Sequence, residues 1–251
     1  MSLLMRMGRK ALAALLGTEN YLDLISSTYI RLVNRSFMRA KYPELFYLPS
    51  LVKPGDVCID LGANVGYYAT RLSQLTGTTG KVYAVEPVNL FRSVLQRNIR
   101  RFAMGNVEVL PYALGAENKS ILMATPRIAG VFRHGLTHVV DGEESADAET
   151  FAAEMRVPDE IFAGLSRLDF VKCDVEGYET YIFPHFLKTL QRFRPLIQFA
   201  ITGKEKREEM YNLLASSGFA CHGLQNGELC KLSREEMVEY ANGDFYFRPL
   251  S

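Results

Sequence analysis

The sequence predicts an α/β fold built on a doubly wound, mostly parallel sheet. Three observations predict it. Strand-like and helix-like runs alternate over residues 56–111, the pattern of parallel sheets with right-handed crossovers. The 251 residues are 48% apolar and 23% charged, ordinary globular usage that excludes disordered and collagen-like classes. A chain of this length buries a core without disulfide staples, and one or two domains are expected.

The elements follow in order. Residues 1–48 read as helices with loose apolar periodicity, an N-terminal extension expected to pack on the core, with 49–251 as the main domain. Pro49 and the Pro54-Gly55 turn end that segment. The apolar run 57–61 is short enough for a buried strand. A glycine-rich turn follows over 62–66, then a helix to about Thr76. Residues 82–85 are a second strand. Phe91, Val94, Leu95, Ile99 and Phe102 recur at helical spacing before Gly105-Asn106 stops that helix, and 107–110 are a third strand. The stretch 126–165 is less regular and is expected to be a substrate-side insertion, with 121–124 a strand before it. Residues 141–160 hold eight acids against Arg156 alone, which reads as a solvated helix. Regular structure resumes with a buried strand at 168–175, a helix at 178–193, a strand at 195–201 and a helix at 204–217 stopped by Gly218. Residues 219–222, 229–232 and 245–248 look like closing strands.

Charge narrows the partners. Lys and Arg number 29 against 28 Asp and Glu, a net +1, without the basic excess of nucleic-acid binders. The segment through Lys41 is locally basic, with Arg6, Arg9, Lys10, Arg31, Arg35, Arg39 and Lys41 against Glu19 and Asp23. It reads as a solvated helical face; a weak peripheral membrane contact is the sharper alternative. The N-terminal run lacks the long uncharged core and small-residue cleavage site of a signal peptide. No apolar run approaches the roughly 18 to 20 residues needed to span a bilayer. Cys58, Cys173, Cys221 and Cys230 have no paired spacing, so reduced thiols and a cytoplasmic location are expected.

The strongest local signal is CIDLGANVG, residues 58–66. In open α/β sheets ligands bind beyond the carboxyl ends of the strands. Asp60 sits near such an end, and Gly62 and Gly66 bracket a turn where backbone must approach something closely. Asn64 stands where a dinucleotide loop needs its second glycine, and no Gly-Lys-Ser/Thr follows, so the turn is not shaped for pyrophosphate. An acid at its entrance suits a cationic ligand. Glu86, in YAVEP, closes the next strand; a carboxylate there can accept from both hydroxyls of a ribose.

These residues carry a resemblance. DLGANVG (60–66), VYAVEP (82–87) and EPVNLFRSVLQRNI (86–99) look like a class I S-adenosylmethionine-dependent methyltransferase. LDFVKCDVEGYE (168–179) is similar to the iKiDvEGaE signature of the FkbM family, and PYALG (111–115) resembles that family's segment after its third strand. The resemblance covers about 56–120 and 168–201. It implies a seven-stranded Rossmann-like sheet with S-adenosylmethionine across the strand ends. Asp60, Gly62, Asn64 and Gly66 would surround its methionine part and ribose, Glu86 would hold the ribose hydroxyls, and Pro111, Tyr112 and Ala113 would meet the adenine edge. Asp174 would face the methyl-transfer centre. Ala200 departs from the glutamate that many members carry.

Methyl transfer from a sulfonium needs alignment, exclusion of water and, for a hydroxyl acceptor, a base. Period two along a strand would put Lys172, Asp174 and Glu176 on one face. Asp174 and Lys172 are the catalytic candidates and Glu176 a substrate contact, against the plainer reading of Lys172 as half of a buried ion pair. Glu179 reads as structural. His134 is the best histidine candidate for a base; His134 and His138 lie four apart but lack a third ligand, so no metal is assigned. The expected activity is O-methylation of a hydroxyl on a sugar, glycoconjugate or polyketide-type product. A silent relative serving as an interaction module and a nucleotide-dependent oxidoreductase are the rivals.

Overall fold

The computed structural model describes residues 3–33, 38–102, 104–128, 131–132, 134–140, 142, 148–241 and 243–250. Arg35, Arg133 and the acids Asp141, Glu143, Glu144 and Asp147 lie outside them, as do the side chains of Arg6, Arg9 and Lys10.

Three helices open the chain: α1 (Leu3–Leu16), α2 (Thr18–Val33) and α3 (Pro43–Leu51). Pro49 lies inside α3, in its last turn, where its missing N–H forfeits a single intrahelical bond. The predicted alternation follows as β1 (Val57–Leu61), α4 (Tyr67–Thr76), β2 (Lys81–Val85), α5 (Asn89–Arg101) and β3 (Val107–Leu110). Every residue of β1 but Val57 is buried, which is why it reads as a continuous apolar run rather than an alternating one. Helix α2 docks on α5 through Arg97–Glu19 and Arg101–Asp23 ion pairs, each 2.7 Å. Between them the buried Asn98 amide donates to Ser26 Oγ and to the Val65 carbonyl, both at 2.9 Å.

The stretch expected to be irregular is mostly sheet. It holds β4 (Tyr112–Leu114), β5 (Lys119–Thr125), β6 (Arg127–Ile128), β7 (Val131–Phe132), β8 (His138–Val139) and β9 (Glu149–Arg156). A second, four-stranded sheet runs β4-β9-β5-β8. Part of the acidic stretch read as a solvated helix is therefore the strand β9. Phe151, Ala153 and Met155 turn inward while Thr150, Ala152 and Glu154 are exposed, a period of two that only a strand satisfies.

The rest of the chain gives α6 (Pro158–Ile161), β10 (Phe170–Cys173), α7 (Glu179–Ile182), α8 (Leu187–Phe193), β11 (Leu196–Phe199), α9 (Lys204–Ser216), β12 (Phe219–Gln225), β13 (Glu228–Lys231), α10 (Arg234–Glu239) and β14 (Phe245–Pro249). The single helix expected over 178–193 is broken: Pro184 has no N–H to give, and a 3₁₀ turn, Phe183–His185, separates α7 from α8. The main sheet has eight strands in the order β13-β12-β14-β11-β10-β1-β2-β3, one more than the resemblance implies. The added edge strand arises at Asn226-Gly227, both at positive φ (52° and 85°), the geometry of a tight hairpin turn. Strands β1, β2, β3, β10 and β11 are parallel, and β12, β13 and β14 close antiparallel. Among the described residues no helix is long and apolar enough to cross a membrane.

Candidate active site

The carboxyl ends of β1, β2 and β10 open into a cavity of about 300 Å³. The chain leaves β1 at Asp60-Leu61 and turns back: the Gly62 and Ala63 amides donate to the Val85 carbonyl at 3.1 and 3.0 Å. Gly62 (φ 78°), Asn64 (φ 49°) and Gly66 (φ 98°) all sit in the left-handed region, which asparagine tolerates better than most residues. The other motif packs against Gly62: a Cβ there would overlap the Asp174 carbonyl oxygen.

Asp60 is 2% exposed. Its Oδ2 is buried and has no hydrogen-bond partner among the described residues. Burial pushes the carboxyl up to about 7, against the nearby Lys172 charge. Glu86, also buried, accepts from the Asn64 amide through Oε2 and the Val88 amide through Oε1, both at 2.8 Å. Burial raises it to about 7 as well, those two amides opposing. Each Glu86 oxygen keeps a second lone pair for a ligand hydroxyl.

Asn64 links this loop to the second sheet. Its amide donates to the His134 carbonyl at 2.9 Å, and its Oδ1 lies 2.9 Å from His134 Nδ1. His134 thus sits on the Asn64–Glu86 side of the cavity, with its ring 6.0 Å from that of Phe91. His134 begins a 3₁₀ turn whereas His138 lies on β8, so the two do not share a helix face.

Asp174 and Glu176 line the cavity, but not by strand alternation. Strand β10 ends at Cys173, and Glu176 has a positive φ of 53°, so they reach the cavity from a turn. Burial, then repulsion from Asp174, raises Glu176 to about 7. Glu179 holds that turn, its Oε1 accepting from the Val175 and Gly177 amides at 3.2 and 3.3 Å.

Lys172 lies beneath, 1% exposed, with Nζ 3.0 Å from Asp244 and 4.9 Å from the centre of the Tyr68 ring. Burial opposes its charge, yet Asp244, Tyr68 and Asp174 hold the ammonium well above its usual range. It is half of an ion pair and does not line the cavity; nor do Gly66, Pro111 and Ala200.

The cavity therefore gathers Asp60, Gly62, Asn64, Glu86, Tyr112, Ala113, His134, Asp174 and Glu176 from distant parts of the sequence. It also takes residues the sequence reading missed, notably Tyr29, Tyr42, Glu44, Tyr67 and Tyr68. Tyr67 and Tyr68 follow Gly66 directly and were findable as the first turn of a helix leaving the loop.

A family model described as the methyltransferase FkbM domain matches residues 60–221. The chain belongs to the FkbM methyltransferase family. No curated protein matches it. Among solved structures, a protein named as an rRNA-methylase from Clostridium thermocellum is 12% identical with a TM-score of 0.50, over 83% of this chain and 94% of that one. An S-adenosylmethionine-dependent O-methyltransferase from Thermotoga maritima is 14% identical (TM-score 0.49, 83% and 65%). Methyltransferase FkbM from Methylobacillus flagellatus KT is 14% identical (TM-score 0.49), over 81% of this chain and 50% of that one. At the first of these scores the likeness is one of fold. The FkbM membership sets aside the oxidoreductase alternative, and the cofactor is S-adenosylmethionine. The residues fit it: an unpartnered buried carboxylate oxygen on Asp60 suits a positive group, and the spare lone pairs of Glu86 suit a diol.

Proposed function

We propose that this FkbM methyltransferase methylates a hydroxyl oxygen of a sugar, glycoconjugate or polyketide-type acceptor. The observation that carries the reading is the pair of carboxyls, Asp174 and Glu176, that enters the cavity from the end of β10 beside Asp60. S-adenosylmethionine, when bound, supplies an electrophilic methyl group on a sulfonium. Asp60 would answer its positive charge and Glu86 would accept from the ribose hydroxyls, with the Gly62–Asn64 turn between them. Tyr112 and Ala113, with Pro111 before them, would meet the adenine edge. His134 holds Asn64, and through it the loop, in place. Asp174 would take the proton that the acceptor hydroxyl loses, and Glu176 would bind the acceptor. Lys172 acts from below, its charge opposing the upward push that burial gives Asp60. General-base help of this kind contributes about 10²–10⁴-fold.

The test is Asp174→Asn. Turnover should fall about 100-fold or more, while affinity for S-adenosylmethionine stays within about threefold, because Asp174 is not asked to hold the cofactor. Unchanged turnover removes Asp174 from the mechanism.

A pH dependence follows from the raised carboxyls. In the ligand-free protein Asp60 and Glu86 titrate near 7, above the usual carboxylate range. The folded state thus holds these protons longer than the unfolded chain, and their contribution to stability is lost as pH rises from the ordinary carboxylate range to about 7. A positive ligand favours their ionised forms. Binding should therefore release protons and tighten as pH rises from about 6 to 8. Calorimetry in buffers of different ionisation heat measures the release. Glu86→Gln should flatten the profile and weaken binding by about 1–3 kcal/mol.

A further inference from the structure

The cavity has an end that the matched family domain does not supply. That domain begins at residue 60, whereas α2 and the start of α3 bring Tyr29, Tyr42 and Glu44 to the lining. The Tyr29 ring packs against Tyr42 at 5.1 Å, edge-on, and against Tyr67 at 4.3 Å. Glu44 lies on the β10 side: its carboxylate is near Gly243, and Asp244 and Lys172 are its charged neighbours. That is the Asp174 side of β1, opposite Glu86 in the strand order. Burial pushes Glu44 above the usual carboxylate range. Glu44 also lines a second cleft of about 530 Å³ between α3 and the β12–β13 hairpin.

The charge of the lining limits what it can take. Glu44, Asp60, Glu86, Asp174 and Glu176 face the cavity, and no lysine or arginine is among the described residues that line it. A phosphorylated or uronate-type acceptor would find carboxyls and no cationic side chain among those lining residues, the nearest ammoniums being Lys172 beneath Glu44 and Lys41 over the Tyr42 ring, and repulsion between like charges costs more in a poorly solvated site than in water. Aromatic faces beside carboxylates suit a different ligand. The rings cover the C–H face of a sugar, and the carboxylates accept from its hydroxyls or from an amine.

We infer that α2 and α3 build the acceptor subsite, with Tyr29, Tyr42 and Glu44 selecting a polyhydroxylated ring that is uncharged or amine-bearing and never anionic. The inference rests on the methyltransferase reading above and names the acceptor's charge class and the residues that read it.

The experiment uses the full chain with S-adenosylhomocysteine bound. Its probes are methyl glucoside, glucosamine, glucuronic acid and glucose 6-phosphate, followed by saturation-transfer NMR. In the wild type the first two should give saturation and the two anions little. Tyr42→Ala should cut both responses about fivefold, the scale of one lost aromatic contact. Glu44→Gln, an isosteric change in case the alanine variant folds poorly, should cut glucosamine about fivefold and methyl glucoside less. Calorimetric affinity for S-adenosylhomocysteine should stay within about threefold in both variants, since neither residue is asked to hold it. Anions binding as well as the neutral sugar, no sugar binding at all, or equal sugar responses in wild type and both variants would each overturn the inference. Failure of S-adenosylhomocysteine to bind the wild type would instead overturn the cofactor reading beneath it.

Discussion

Gly62→Ala should cost about 2–5 kcal/mol of stability and abolish S-adenosylmethionine binding, because two penalties coincide. At φ 78° alanine pays the left-handed strain. Its Cβ would also overlap the Asp174 carbonyl oxygen, which is backbone and cannot rotate away. Relief requires separating the loop after β1 from the turn after β10, and the Asp174 amide is tied to the Leu61 carbonyl at 3.0 Å. The two carboxyl-bearing motifs would part, and the cavity with them. Gly66→Ala is the control. Its φ is also positive, but the nearest atom is Leu95 Cδ1, the far end of a side chain that can move, so the loss should be smaller. Chemical denaturation and calorimetric titration read both effects. A Gly62→Ala protein as stable as wild type would show that the two motifs do not depend on this contact.

Lys172→Ala should destabilise the fold by about 3–5 kcal/mol, the cost of stranding a buried charge. Among the described residues Asp244 would keep the Gln198 amide, 2.7 Å away, and Asp60 would lose the cation that lowers its pKa. With that cation gone, Asp60 should titrate higher still. Cofactor binding in the milder Lys172→Met variant should therefore need a higher pH than in wild type. Pairing that variant with Asp244→Leu should restore stability, since replacing both members of a buried pair is often neutral. It should not restore the pH profile. That split separates the electrostatic role of Lys172 from its packing; a wild-type pH profile in the single variant would reduce Lys172 to packing alone.

The site residues that could be read from the sequence share one property. Asp60, Glu86 and Asp174 are acids in or just past apolar runs, one to three residues before a glycine or proline, a placement that core packing alone does not favour. Lys172 looked like one of them because its partner, Asp244, lies 72 residues away, beyond α7, α8, β11, α9, the β12–β13 hairpin and α10. Tyr29, Tyr42 and Glu44 were illegible for a related reason: nothing local distinguishes a tyrosine facing a cavity from one facing a neighbouring helix. Strand β9 was missed because the acids around it drew attention from its short inward alternation of Phe151, Ala153 and Met155. The parallel core was legible since its strands, covered on both sides, are nearly unbroken apolar runs.

The position of β14 bears on how the molecule is assembled during synthesis. It lies between β11 and β12, so the β12–β13 hairpin joins the main sheet only through a strand translated after it. While the ribosome still holds residues 245–249, the hairpin has no docking edge, and Lys172 lacks Asp244, the partner that precedes that strand. Nascent chains halted short of β14 should therefore keep 219–231 open to protease, and those extended past it should not.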